Sequence, residues 1–335
     1  MNRYHIHLTN LDARFLIPEI SERNFFSYLS RLIRSEDIQL LHAQPDVLLP
    51  MLAERAVDLP TKVMLPKYST IMSCQDKMKT QKLLNEADVA VPESYLVENE
   101  ESLFHSIQLL KDSGNQTVWL RAVRGAGSRA AIKAASVKEA KHWIEWNSFH
   151  KNMGWGDFMV AEYLPGKDFA FASVWKHGKL LSSFARERVQ YLYGFLTPSG
   201  TSSTPSVARS IRNDEVNSVA TRAIQAVDSE PNGIYCVDLK SNQKGTPMVT
   251  EINAGRFFTT SLFYATVASR FNLIGCNLPY VYVKAAFDEE HELSGLQNYN
   301  LAPEDLYWVR MVDMGERCFT QSELDNLGLL LGDAN

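Results

Sequence analysis

Two acidic residues and one asparagine near residue 250 place oxygen donors at a regular spacing. Asp238 lies in a β-forming run, GIYCVDL at 233–239, and Glu251 and Asn253 lie in a second run, PMVTEIN at 247–253. The polar segment between the runs is typical of a hairpin turn. On paired antiparallel strands Asp238 and Glu251 can face the same side, and Glu251 and Asn253 share a face because they are two residues apart. Such donors suit Mg²⁺, which takes its remaining ligands from phosphates and water. A hairpin with a solvated polar face is the alternative.

A strand that carries a cation and ends in a glycine-rich turn precedes this hairpin. Residues 119–129 read WLRAVRGAGSR, so Arg121 lies on the strand and Gly125, Gly127 and Ser128 lie in the turn. Glycines let the backbone approach a ligand closely and expose successive N–H groups that bind anions. The spacing is not that of a P-loop, and no helix follows as in a dinucleotide-binding turn. The segment either binds phosphate or forms a plain hairpin turn with solvated arginines.

A third candidate segment, residues 158–168, joins an apolar strand to a Pro-Gly turn. It reads FMVAEYLPGKD and contains Glu162, Tyr163, Leu164 and Asp168. The backbone at the end of such a strand could meet the edge of an adenine ring, and the carboxylates could bind amino and hydroxyl groups. An ordinary strand–turn–strand with acidic surface residues is the alternative.

Further arginines accompany these segments. Arg186 and Arg188 are two residues apart and share a face of a predicted strand, which a loop at 194–204 (GFLTPSGTSST) follows. A loop of this composition can close over a ligand, or it can be a surface connection. Arg256 follows Asn253 closely enough to reach phosphate oxygens bound at the same site.

The composition excludes several classes of protein. With 45% hydrophobic and 22% charged residues the chain of 335 residues is ordinary for a globular protein, and its net charge of −5 argues against a nucleic-acid-binding protein. The four cysteines are scattered without a zinc or disulfide spacing, and no apolar run reaches the roughly 18 residues of a membrane span. We therefore expect a cytoplasmic protein without a membrane or nucleic-acid partner.

Helices and strands alternate along the chain, with hairpins around the candidate residues, which indicates an α+β protein rather than a doubly wound parallel sheet. Hydrophobic periodicity predicts helices at residues 22–34, 46–55, 75–87, 101–113 and 137–147. It predicts strands at residues 4–8, 38–42, 117–122, 130–135, 157–163, 170–175, 180–188, 233–239 and 247–253.

The order of these segments resembles the ATP-grasp superfamily, in particular its branch with carbamoyl phosphate synthase and biotin carboxylase. Five segments match in the family's order: D-K-x-x-T at 76–80 with V-P at 91–92, the glycine-rich turn at 121–129, the Glu162–Asp168 segment, the arginine pair at 186 and 188, and Asp238 with the E-I-N-x-x-R run at 251–256. Each motif alone is degenerate, whereas five in sequence are specific. The resemblance covers residues 36–260 and, more loosely, the chain to about residue 320.

The resemblance implies an ATP-grasp fold, in which two α+β subdomains clamp ATP, after a short Rossmann-like α/β domain. It implies a reduced Rossmann-like domain at 1–72, a subdomain with the phosphate loop at 73–155 and a subdomain with the metal site at 156–335. The implied ATP-binding residues are Lys77, Arg121, Gly125, Gly127, Ser128, Glu162, Tyr163, Leu164 and Asp168. The implied ligands of two Mg²⁺ ions, which Mn²⁺ could replace, are Asp238, Glu251 and Asn253. The implied catalytic residues are Arg256, Arg186 and Arg188. A homodimer is a further expectation of the resemblance.

The sequence departs from the family pattern at several positions. Arg121 stands where the family has lysine, and Asp168 is shorter than the usual glutamate. The E-I-N-A-G-R run has one residue more than the common E-I-N-P-R, which affects the reach of Arg256. The first strand and glycine turn of the usual preceding domain are not evident, so that domain is reduced or the chain begins inside it.

These features favour an ATP-dependent ligase that activates a carboxylate as an acyl phosphate and couples it to an amine, less often to a thiol. A non-catalytic ATP-binding module is one alternative, because Arg121 replaces lysine and the first domain is short. A small-molecule kinase on the same fold is another. The sequence does not identify the acid or the amine.

Overall fold

The computed structural model is an α+β structure with two antiparallel sheets, as the alternating pattern predicts. It describes residues 12–125, 130–202, 204–258, 262–293, 295–312 and 315–323. Within these ranges no helix is both long and apolar enough to cross a membrane.

Helices pack around the sheets. Those in the described part of the chain are α1 (Phe25–Ser35), α2 (Leu49–Arg55), α3 (Tyr68–Cys74), α4 (Lys77–Glu86), α5 (Glu100–Asp112), α6 (Val137–Lys151), α7 (Asp214–Val227), α8 (Leu262–Phe271) and α9 (Leu278–Ala286). Five of them (α4, α5, α6, α7 and α9) begin at a residue whose side chain accepts a hydrogen bond from the first turn. Asp76 caps α4 by accepting a hydrogen bond from Lys79 N at 3.1 Å, and Asn213 caps α7 in the same way. The first cap places Lys77 at the start of α4, next to the candidate site.

The strands form a small sheet and a large sheet. They are β1 (Ser94–Val97), β2 (Val118–Ala122), β3 (Ile132–Ala134), β4 (Phe158–Glu162), β5 (Asp168–Lys176), β6 (Lys179–Tyr191), β7 (Pro205–Ser210), β8 (Gly233–Ser241), β9 (Pro247–Ala254), β10 (Leu306–Met311) and β11 (Gly315–Thr320). The small sheet has the order β1-β4-β2-β3, and the large sheet has the order β11-β10-β7-β6-β5-β8-β9.

One predicted strand is wrong. The segment 38–42 forms a single parallel bridge, between Leu40 and Lys62, instead of a strand. Pro60 and Pro66 flank the partner segment, and proline lacks the N–H group that would extend a ladder. The predicted strand at 4–8 lies outside the described residues, and the other predicted elements are present with ends that shift by up to four residues.

The chain passes from the small sheet to the large sheet between β4 and β5, at residues 163–167. Gly166 N donates to Ser241 O at 3.0 Å, and Ser241 N donates to Lys167 O at 2.9 Å, so β8 holds this crossing in place. A Cβ on Gly166 would lie 2.6 Å from Ser241 Cβ, which explains the glycine of the Pro-Gly turn. The predicted domain boundary lies upstream, between residues 155 and 156, and the division into domains stays a prediction.

The large sheet is packed on both faces. One face carries Val237 and Ile252 and packs against α7. The opposite face carries Ala172 and Cys236 and packs against α8 and α9. Near the crossing between the sheets, the second face changes from apolar to charged residues, which are Asp168, Arg188, Asp238 and Glu251.

Candidate functional site

A β-bulge turns Glu251 toward Asp238. These two residues pair across β8 and β9, whereas Val249 pairs with the residue that follows Asp238, so Thr250 is an extra residue in β9. Because side chains alternate along a strand, Glu251 would otherwise share the buried face of Val249. The bulge places Glu251 on the opposite face, where Asn253 also lies. The convergence of the three oxygen-bearing side chains therefore depends on one extra residue.

Arg188 on β6 joins the two aspartates of the site. Its guanidinium donates to Asp168 Oδ1 at 2.9 Å and makes a short hydrogen bond to Asp238 Oδ1. Asn253 Nδ2 donates to Asp238 Oδ2 at 3.1 Å, and the Tyr191 hydroxyl donates to Asp168. The carboxylate predicted at the ribose and a carboxylate predicted at the metal thus share one cation.

The cations that contact Glu251 come from the other sheet. Arg121 on β2 donates to Glu251 Oε2 at 2.7 Å and to Thr250 O at 3.3 Å. Lys77 Nζ lies 3.8 Å from Glu251 Oε1. Because β2 belongs to the small sheet and β9 to the large sheet, these contacts place the site between the two sheets.

Burial and neighbouring charges set the ionisation of the opposed carboxylates. Burial raises the pKa of Asp238, and the charge of Glu251 adds to the rise while Arg188 opposes it. Burial alone would also raise the pKa of Glu251, but Lys77 and Arg121 hold it below its usual range. The neighbouring cations therefore favour the ionised form of Glu251, whereas burial disfavours the charge of Asp238.

The Lys77 side chain reaches the glycine-rich turn. Lys77 Nζ donates to Gly125 O at 2.9 Å, and Lys77 N donates to Val123 O at 3.1 Å. Gly125 has a φ of +94°, a conformation that glycine adopts without strain. Val123 and Gly125 are therefore joined to the start of α4 by hydrogen bonds. The predicted phosphate-binding residues Gly127 and Ser128 lie outside the described residues.

The residues predicted at the adenine and ribose flank the crossing between the sheets. Glu162 ends β4, and burial raises the pKa of its carboxyl group. Lys133 Nζ lies 4.4 Å from the ring centroid of Tyr163, and Leu164 is buried. Asp168 begins β5 and faces Arg188. All four lie where the two sheets are linked, and their contacts with a nucleotide stay a prediction.

The two arginines of β6 differ in their surroundings. Arg186 is fully buried, with its guanidinium carbon 5.5 Å from the ring centroids of Phe258 and Tyr264. The Arg188 guanidinium lies 5.2 Å from the Phe258 ring and contacts the carboxylates directly. Burial lowers the pKa of Arg186. Arg188 is thus the member of the pair that touches the site, and Arg186 lies beside it in the core.

Arg256 contacts Asp46, a residue that the sequence did not assign to the site. Arg256 Nη2 donates to Asn253 Oδ1 at 2.5 Å, and Arg256 Nε makes a short hydrogen bond to Asp46 Oδ1. Gln75 Nε2 donates to Asp46 O at 2.8 Å. In the sequence, Asp46 is the first residue of the helix predicted at 46–55, with no sign of a role in the site. Its contact with the site spans 210 residues, which no local pattern encodes.

The donors at the hairpin suit magnesium bound together with phosphate. Within the described ranges, no three or more His, Cys, Asp and Glu side chains form a group that could hold a metal. Asp238 and Glu251 are two opposed carboxylates with the Asn253 amide beside them. Mg²⁺ is commonly bound through one or two carboxylates and substrate phosphates. These residues fit Mg²⁺ when a nucleotide supplies the remaining ligands, and they do not fit a metal held by protein side chains alone.

Comparisons with known proteins agree with this geometry. A family model described as an ATP-grasp domain matches residues 74–260. No curated protein sequence matches the chain.

Solved structures show the same fold at low sequence identity. Biotin carboxylase from Campylobacter jejuni has a TM-score of 0.66 at 13% identity, over 91% of this chain and 66% of that one. The biotin carboxylase domain of Hydrogenobacter thermophilus 2-oxoglutarate carboxylase has a TM-score of 0.62 at 13% identity, over 84% and 60%. L-amino acid ligase from Bacillus licheniformis has a TM-score of 0.58 at 14% identity, over 87% and 66%.

The chain spans slightly less than two thirds of the length of these three structures. At such identities the likeness shows the fold, while the match to the family model covers more than half of the 335 residues. Lys77, Arg121 and Glu251, at which the two sheets meet, all lie within the matched region. The chain therefore belongs to the ATP-grasp family.

Proposed function

We propose that this chain is an ATP-dependent ligase that activates a carboxylate as an acyl phosphate, releases ADP and couples the acyl group to an amine, less often to a thiol. One observation carries the proposal. Asp238 and Glu251 face each other on the neighbouring strands β8 and β9, where the two sheets meet, and each of these carboxylates pairs with an arginine. The relatives support it, because two of them are described as a β-γ-ATP complex and a magnesium ADP complex, and a third as an L-amino acid ligase.

Lys77 and Arg121 bind the phosphates of ATP in this proposal. Both contact Glu251 in the structure, and phosphate oxygens compete well for an ammonium group and a guanidinium fork. When the two cations turn to phosphate, the Glu251 oxygens become available as metal ligands. Each cation then exchanges one anionic partner for another, which limits the cost of burying charge. Asp238, Glu251 and Asn253 would hold Mg²⁺, which would neutralise negative charge on the phosphates of ATP.

Arg121 variants test the phosphate contact. Arg121→Lys keeps the charge but loses the fork that contacts both Glu251 and Thr250, whereas Arg121→Ala loses both. We expect the Kd for ATP to rise by about 3- to 10-fold in Arg121→Lys and by about 10- to 100-fold in Arg121→Ala. Calorimetric titration of each variant with magnesium and a non-hydrolysable ATP analogue measures the change. The exposed Arg31→Lys is the control, and an unchanged Kd in Arg121→Ala would contradict the assignment.

The first chemical step transfers the γ-phosphoryl group. An oxygen of the substrate carboxylate attacks the γ-phosphorus, and the bond to the bridging oxygen breaks, so ADP leaves with the electron pair. Arg256 lies beside Asn253, and Arg188 beside Asp238, where both stabilise negative charge on the transferring group. Arg186, whose guanidinium lies near the same Phe258 ring as that of Arg188, adds positive charge next to the site.

The second step forms the amide. The amine nitrogen attacks the acyl carbon, the carbon–oxygen bond to phosphate breaks, phosphate leaves with its electron pair, and the nitrogen gives up a proton. Because phosphate is the leaving group, the reaction needs no nucleophile from the protein. Much of the rate acceleration then comes from holding the two substrates in the correct relative position.

The test is Mg²⁺-dependent ADP release against pooled amino acids and other carboxylates, with hydroxylamine present to trap an acyl phosphate as its hydroxamate. We expect ADP together with hydroxamate in at least one pool. ADP without hydroxamate would point to a kinase or an ATPase and would overturn the ligase proposal. Binding of ATP without ADP release in every pool would favour a binding module.

A further inference from the structure

Arg256 lies just beyond the end of β9, where the chain bends. The strand ends at Ala254, and Gly255, which has a φ of +96°, donates from its backbone N to Ile234 O at 2.7 Å. Because Arg256 follows this bend, the alternation of side chains along β9 does not fix its direction. The chain also has one residue more here than the common E-I-N-P-R pattern. Contacts outside the strand therefore orient the guanidinium.

Two side chains accept hydrogen bonds from different nitrogens of the Arg256 guanidinium. Nη2 donates to Asn253 Oδ1 at 2.5 Å, and Nε makes a short hydrogen bond to Asp46 Oδ1. Of the carboxylates in the described part of the chain, only Asp46 forms an ion pair with Arg256. The Arg256 side chain is 12% exposed and that of Asp46 is 39% exposed, so solvent screens the pair only in part.

The segment that carries Asp46 is held in place by other groups. The Gln44 side chain accepts a hydrogen bond from Phe257 N at 3.0 Å and donates one to Phe257 O at 3.2 Å. Gln75 Nε2 donates to Asp46 O at 2.8 Å. None of these three hydrogen bonds uses the Asp46 carboxylate. The segment therefore presents that carboxylate to Arg256 from a fixed position.

The ion pair connects the N-terminal region to the predicted metal site. Asn253, which accepts from Arg256, donates through Nδ2 to Asp238 Oδ2 at 3.1 Å. A guanidinium held at two of its nitrogens has a defined direction. Without the Asp46 contact, the long Arg256 side chain regains access to other rotamers, and its hydrogen bond to Asn253 alone has to offset that gain in entropy.

We propose that Asp46 is a positioning residue, whose carboxylate holds the Arg256 guanidinium beside Asn253, where Arg256 stabilises the transferring phosphoryl group. The inference rests on the phosphoryl-transfer step of the proposed function and gives the N-terminal region a part in that step. Charge alone predicts the opposite effect, because a carboxylate near the site repels phosphate and its removal would favour the reaction. Positioning predicts a loss of rate, since a displacement of about 1 Å can cost about 100-fold.

The rate of ADP release tests this role. We expect Asp46→Ala to lower kcat by about 10- to 100-fold. The KM for ATP is expected to stay within about threefold, because Lys77 and Arg121 are the residues predicted to bind the phosphates. Asp46→Glu, which keeps the charge, is expected to recover part of the rate. Asp58→Ala, the same change at an exposed position of the N-terminal region, is expected to leave kcat unchanged.

A double-mutant cycle separates positioning from a general loss of structure. In an Arg256→Ala background we expect Asp46→Ala to cause no further fall in kcat, because the group that Asp46 positions is already absent. A purely structural Asp46 would lower kcat by the same factor in both backgrounds, and that result overturns the inference. A kcat that rises or stays unchanged in Asp46→Ala alone also overturns it. The Tm of each variant is measured, and Asp46→Asn, which keeps the size of the side chain, takes the place of Asp46→Ala if the latter does not fold.

A binding measurement keeps this inference separate from the ligase proposal. ADP with magnesium and aluminium fluoride imitates the transferring phosphoryl group and needs no acceptor substrate. In calorimetric titrations we expect the wild-type protein to bind this complex more tightly than ADP with magnesium, and Asp46→Ala to reduce the ratio of the two Kd values by about 10-fold. A wild-type ratio near one, or a ratio that Asp46→Ala leaves unchanged, overturns the inference. Absence of ADP and hydroxamate with every acid overturns the proposed function, and the ratio of Kd values still decides the role of Asp46.

Discussion

Glu251→Gln is expected to lower kcat for ADP release by about 10²- to 10³-fold, the scale seen when one stabilising group of a catalytic site is removed. The substitution keeps the shape of the side chain and removes the charge that faces Asp238, Lys77 and Arg121. The amide is a weaker ligand for magnesium, and the two cations lose the partner that positions them. The measurement is ADP release at saturating ATP, magnesium and substrate.

Glu187→Gln is the matched control for this variant. Glu187 lies on the same large sheet, and its side chain is similarly buried, at 14% exposed against 21% for Glu251. It points to the opposite face, where it pairs with Arg209 at 2.6 Å. We expect Glu187→Gln to change the Tm without changing kcat by more than a few-fold. Near-normal turnover in Glu251→Gln would remove the basis for the metal assignment.

Arg188→Leu is expected to lower the free energy of unfolding by about 3–5 kcal/mol, the usual effect of removing one partner of a buried ion pair. Arg188 is 10% exposed and is a direct partner of both Asp168 and Asp238, whose side chains are 16% and 20% exposed. Without it, both carboxylates remain buried with less opposite charge nearby. Urea unfolding at constant pH measures the loss, with the m-value as a check on two-state behaviour.

Two further measurements define the cause of that loss. The double variant Arg188→Leu/Asp238→Asn is expected to recover part of the stability, because it removes one of the stranded charges. Burial raises the pKa of Asp238 in the folded protein above its value in the unfolded chain. At a pH above the folded-state pKa, the charge of Asp238 destabilises the folded state, and this destabilisation is lost as the pH falls through the folded-state pKa. The deficit of Arg188→Leu should therefore shrink toward acidic pH. A deficit below 1 kcal/mol at neutral pH would contradict the role of Arg188 as the shared partner.

Local sequence patterns determined the parts of this protein that depend on neighbouring residues. The runs at 233–239 and 247–253 are β-forming on either side of a polar turn, and they pair as the hairpin of β8 and β9. Capping residues such as Asp76 fix where helices begin, and the Pro-Gly turn marks the crossing between the sheets. These features are short-range, so composition and spacing suffice to predict them. The order of motifs was sufficient to predict the ATP-grasp fold, which the match at 74–260 confirms.

The sequence contains a signal for the face of β9 on which Glu251 lies, because that face depends on a β-bulge. Val249 and Ile252 are both apolar and three residues apart, whereas strict alternation would separate them by two or four. Both are buried on one face of β9 because Thr250 is an extra residue. The odd spacing of two core residues in one strand is a signal for a bulge, and it also decides which face the intervening glutamate occupies.

Other features of the site were decided by tertiary structure alone. Arg188 meets Asp238 because β5 lies between β6 and β8 in the large sheet, and Arg121 meets Glu251 because two sheets face each other. Asp46 reaches Arg256 across 210 residues of chain. Side-chain periodicity reports which face of an element is buried, but it carries no information on which distant element covers that face. The sequence by itself therefore determined the elements and the chemical types of the site, and the packing of the sheets and the N-terminal segment determined which charge meets which.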